Sequence, residues 1–143
     1  MKARRLLFLS TLSAMLWAPA DAAPESIQLV GPITNTTRDV SAPGKFELTF
    51  EGETIRGFLT LEAPLGAGRW PVEGTRRGAW CEMTCAQTSG TRIVFRGVLS
   101  ATELRGTFIV GGGGAIVQYG RFQAAAAAAP SMSGASPAAP GIR

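Results

Sequence analysis

TRIVFRGVLSATELRGTFIVGGGGAIVQYGRF, residues 91–122, divides into three runs in which large apolar residues return at every second position. Ile93, Phe95, Gly97 and Leu99 alternate with Val94, Arg96 and Val98, and Leu104, Gly106, Phe108 and Val110 alternate with Arg105, Thr107 and Ile109. A period of two is the pattern of a β-strand with two distinct faces. Residues 100–102 supply a turn, glycines 111–114 supply the next, and residues 116–122 return as a third strand. In each run a glycine shares the face of the large apolar residues and has an arginine beside it: Arg96-Gly97, Arg105-Gly106 and Gly120-Arg121. The same pair stands earlier, at Arg56-Gly57.

The preceding chain carries the same pattern. Phe46, Leu48 and Phe50 alternate with Glu47 and Thr49; after Glu51-Gly52-Glu53, Ile55, Gly57, Leu59 and Leu61 alternate with Arg56, Phe58 and Thr60. Two alternating runs around a short glycine-containing turn predict an antiparallel hairpin. Residues 26–30 read as a short strand ended by Gly31-Pro32, and Ala42-Pro43-Gly44 reads as a turn. Residues 69–72 read as a brief edge segment, because Pro71 disfavours a central strand. Residues 73–78 are polar and glycine-bounded, and residues 80–86 read as a further strand. No helical period is sustained outside the alanine run near the end. The expectation is an all-β fold: a small antiparallel meander, closed barrel or sandwich of seven or eight short strands.

Both ends differ from this middle. Lys2, Arg4 and Arg5 precede an apolar run over residues 6–17, and small residues follow at Ala18, Ala20, Ala22 and Ala23. That is the layout of a secretory signal peptide, and the run is too short to span a bilayer. Cleavage after Ala22 is expected, leaving a β-domain over residues 23–123 and a flexible Ala/Pro/Ser/Gly tail over 124–143. No later segment reads as a transmembrane helix. Removing residues 1–22 takes away three basic groups and one acidic group, so the mature net charge falls from +4 to +2. This balance gives no argument for a nucleic-acid partner, and the leader predicts a periplasmic or secreted protein of bacterial type.

The 143 residues include no histidine. That removes the usual general base and the commonest metal ligand, and it forbids a Ser-His or Cys-His nucleophile pair within this chain. Catalysis would rest on Tyr119, Lys45, a thiolate, or a carboxylate such as Glu82 or Glu73 beside Cys81. The expectation is a non-catalytic protein without a cofactor or metal. Cys81 and Cys85 pose a geometric fork. On a straight strand their Cα atoms would stand about 13 Å apart, whereas a disulfide needs them within roughly 7 Å. Either the segment bends and closes a small disulfide ring, or the thiols are free or paired between chains. The closed ring is the expectation in an oxidising compartment.

Two features point to binding. Inward glycines at 57, 97, 106 and 120 either let a coiled sheet close around bulky side chains or leave a cavity for a small apolar ligand. Arg56, Arg96, Arg105 and Arg121 then point outward, and they form a band if neighbouring strands align at the glycines. Such a band suits an anionic envelope lipid or glycan. A second candidate surface is a rim made by glycines 111–114 with the loop around Trp70 and Trp80. The glycine run lacks the Lys-Ser/Thr and following helix of a phosphate loop. These features predict an exported binding or interaction module. The alternative is an inhibitor of an exported hydrolase that presents the segment 81–85, flanked by Trp80, as a pinned loop.

Overall fold

The structure is a computed structural model that describes residues 23–114 and 116–127. Among these residues the chain forms eight strands: β1 (Glu25–Asn35), β2 (Val40–Glu51), β3 (Thr54–Leu61), β4 (Gly68–Arg77), β5 (Trp80–Ala86), β6 (Arg92–Leu99), β7 (Glu103–Gly111) and β8 (Gln118–Ala126). Each pairs antiparallel with the next, and β8 pairs with β1, so the sheet closes as a barrel. Closure satisfies the backbone groups that two open edges would leave exposed. Of the expected meander, barrel and sandwich, the chain is the barrel.

The period-two residues make the core. Phe46, Leu48, Ile55, Leu59, Val72, Met83, Phe95 and Leu104 are buried on the inward face. At the centre, the Phe95 ring lies 5.4 Å from Phe46, 5.6 Å from Phe108 and 5.3 Å from Phe122, centroid to centroid. The Phe46 and Phe122 contacts are edge-to-face, the favourable orientation for aromatic quadrupoles. Outward positions on β2 and β3 carry Lys45, Glu47, Thr49, Arg56 and Thr60. The buried apolar face is therefore inside, while Val30, Phe58, Val98, Ile109 and Tyr119 stand on the outer surface.

The inward glycines are explained by close approach. Gly97 stands directly opposite Gly106, and a Cβ on Gly106 would overlap the Arg96 carbonyl. Gly120 stands opposite Phe108, whose ring fills the space a side chain there would need. The glycines thus let strands coil tightly around the phenylalanines. They do not open a central cavity.

Several local expectations are corrected. β1 runs through Gly31-Pro32, and Ala42-Pro43-Gly44 lies inside β2. Pro32 is paired with Pro43, so the two missing N–H donors fall on one rung of the ladder. The β1–β8 ladder keeps its register across residues 31–32 but has no paired residues there. The edge segment at 69–72 is part of β4, which has partners on both sides and continues through the polar stretch to Arg77. Pairing of β4 with β5 begins only at Val72, one residue past Pro71, so the proline sits where β4 has a single partner. At the far end, Ala124 is buried and β8 continues to Ala126, so the domain extends beyond residue 123. The expected leader over 1–22 and most of the expected tail lie outside the described residues.

The two barrel ends differ. Connections at 52–53, 78–79 and 100–102 are short turns; those at 36–39, 62–67, 87–91 and 112–117 are longer and gather at the opposite end, the mouth.

Candidate functional site

The register places three of the four predicted arginines on one outer face. Arg96 on β6 and Arg121 on β8 both stand opposite Thr107 of β7. Arg105 is paired with Val98 and Gln123, each two residues from one of the other arginines, so it is the diagonal neighbour of both. Diagonal Cβ atoms in an antiparallel sheet are about 7–8 Å apart, within reach of long side chains. Arg56 is not part of this group. It lies on β3 between Thr49 and Glu73, away from the other three. The band is therefore a three-arginine face.

Its charges are unequally satisfied. The Arg96 Nε donates to Glu82 Oε2 at 2.7 Å, an exposed ion pair. Among the described residues Arg105 and Arg121 have no carboxylate within ion-pair distance. Glu103, the nearest acid along β7, accepts from Gln123 Nε2 at 2.7 Å instead. Between Arg105 and Arg121 runs a shallow groove bordered by Pro32, Thr34 and Gln123, along the interrupted part of the β1–β8 ladder. Elsewhere Glu47 meets Lys45 and Arg69, each at 3.3 Å, and these partners hold its carboxyl below the usual range. The Arg69 guanidinium also covers the Phe58 ring at 3.6 Å.

The tryptophan rim does not form as expected. Trp80 begins β5 at the short-turn end and is half exposed, whereas glycines 111–114 belong to the mouth at the other end. Trp70 packs partly buried against the core, its ring over Gly68. What meets glycines 112 and 113 is the loop at Ser89 and Gly90, backbone against backbone.

The disulfide expectation is overturned. Residues 80–86 are a regular strand, paired on both sides, and Cys81 and Cys85 are free, inward and buried. The strand spacing that argued against a straight-strand disulfide applies here, and no loop separates the cysteines. Burial pushes the Cys85 thiol up to about 11 and also raises Cys81, with Arg76 partly opposing the rise at Cys81. Both are protonated near neutrality and are poor nucleophiles. Glu82 and Glu73 are exposed positions on the outer face, away from Cys81.

A cavity of about 180 Å³ opens at the mouth. Ile33, Leu61, Ile93, Phe95 and Phe108 line its inner part, and Asn35, Arg38 and Gln118 stand at its rim. Asn35 is the one buried polar residue among those described. Its Nδ2 donates to Gln118 Oε1 and its Oδ1 accepts from the Arg38 backbone N–H at 3.0 Å. Asn35 belongs to neither the arginine band nor the tryptophan and glycine rim that the sequence predicts. The available signal was its place two residues after Ile33, on the inward register of β1.

The chain matches no protein-family model, and a comparison with curated proteins finds no match.

Proposed function

We propose that the protein is an exported, non-catalytic binding module that holds an anionic partner on the Arg96–Arg105–Arg121 face. The observation that supports this reading is the pair Arg105 and Arg121: neighbouring, outward, and without acidic partners among the described residues. Guanidinium groups present planar forks of donors that match phosphate, sulfate and carboxylate oxygens. Thr34 and Thr107 flank Arg121 and add hydroxyls to the same surface. The leader-like N-terminus selects an envelope component, a phosphate-bearing lipid or an acidic glycan, as the partner class. The inhibitor reading loses its inserted element, since residues 81–85 lie within β5.

Co-sedimentation with vesicles of anionic phospholipid, zwitterionic vesicles and an insoluble acidic glycan tests the proposal. Retention on an anionic probe should fall steeply as salt screens it. Each of Arg105→Gln and Arg121→Gln should weaken it roughly two- to fivefold, the scale of an exposed charge contact. Retention that ignores salt and both substitutions would refute the reading.

A further inference from the structure

We infer that the mouth of the barrel is a second binding site, for a small flat ligand with an apolar body and a carboxylate head. The inner layer explains the space. Phe46, Phe95, Phe108 and Phe122 fill the barrel centre, but toward the mouth the inward positions pass to the shorter Ile33, Leu61, Ile93 and Val110. The residual volume of about 180 Å³ compares with the ~150 Å³ apolar cavity that admits benzene. A single ring therefore fits, whereas a drug-sized ligand, which needs upward of ~300 Å³, does not.

The rim sets the chemistry of the other end. The Asn35 carboxamide is committed to Gln118 Oε1 and to the Arg38 backbone, so the Gln118 oxygen is already occupied. What remains is the Gln118 amide N–H groups, the Arg38 guanidinium, which has no ion-pair partner among the described residues, and the Gln87 and Thr91 side chains, of which the Thr91 hydroxyl already meets Ser89 Oγ. Gln118 and Arg38 offer donors, Arg38 is the one charged residue of the lining, and no carboxylate lines the cavity among the described residues. An acceptor-rich, anionic head satisfies these donors; a purely apolar ligand leaves them to water. This arrangement of apolar depth and few convergent polar groups at a barrel mouth is that of a small-molecule site. It stands apart from the outer arginine face and does not depend on it.

Benzoate is the probe and benzyl alcohol its neutral counterpart, with methyl resonances of the whole protein as the readout. Benzoate should shift the Ile33, Leu61, Ile93 and Val110 methyls saturably in the millimolar range. Benzyl alcohol should bind roughly three- to tenfold more weakly, and Arg38→Gln should erase that difference. Val110→Phe, which fills the mouth, should abolish the shifts while the native spectrum persists; if that variant fails to fold, Arg38→Gln carries the test. The Arg105→Gln/Arg121→Gln double variant should bind benzoate as the natural protein does. Absence of saturable shifts, or equal affinity for the acid and the alcohol, would overturn the inference.

Discussion

Gly97 and Gly106 face each other directly across the β6–β7 ladder, and a Cβ at either position would strike backbone of the neighbouring strand. That close approach brings Arg96 and Arg105, each one residue from its glycine, onto a shared outer face. Gly106→Ala should therefore destabilise the barrel by on the order of 2–3 kcal/mol in urea unfolding, since backbone must move. Gly111→Ala is the control: nothing lies near its Cβ, so the change should be small. Equal effects at the two sites would remove close approach as the reason for the inward glycines.

Phe95 touches three other phenylalanine rings and is fully enclosed. Phe95→Ala should cost about 3–5 kcal/mol, from lost transfer energy and the cavity left behind. A small loss in thermal or urea unfolding would mean that the barrel centre is not the packed cluster described.

Cys85 links stability to pH. Its thiol is raised from 9.0 to about 11, so the folded protein keeps a proton that the unfolded chain releases above pH 9. Stability is therefore full below about pH 9 and falls as pH rises toward 11, by roughly 2 kcal/mol for this group. Cys85→Ala should flatten that decline. In the same protein, native thiols should resist alkylation at pH 8 and react once denaturant is added, with both found unpaired by mass.

Glu82 neutralises one arginine of the proposed binding face at 2.7 Å. The pair is exposed, so Glu82→Gln should change stability by less than about 1 kcal/mol. It should also release Arg96 and strengthen retention on anionic vesicles or acidic glycan. Weaker retention would mean that the partner does not meet this face.

Alternation made most of the barrel legible, because Phe46 to Phe50 and Ile93 to Leu99 declare an inner and an outer face without reference to the rest of the chain. The inward glycines and outward arginines followed from the same count. Relationships between distant residues were not legible. Pro32 and Pro43 each read as a strand breaker alone, and only their facing positions make both tolerable. Cys81 and Cys85 look alike in a bent loop and a straight strand; pairing of β5 with β4 and β6 decides between them. The mouth gathers Asn35, Arg38 and Gln118 from opposite ends of the domain, and the arginine face depended on which glycines align. Gly97 and Gly106 do; Gly57 pairs with Val72 and Leu48 instead, which leaves Arg56 apart.

That separation supplies an internal control for the binding account. Side-chain Nε–H resonances of the arginines, followed while glycerol phosphate is titrated into the protein, test it most directly. Arg105 and Arg121 should shift together and saturate, with Arg56 unmoved. Equal movement of Arg56, or no saturable shift at Arg105 and Arg121, would contradict the assignment of this face.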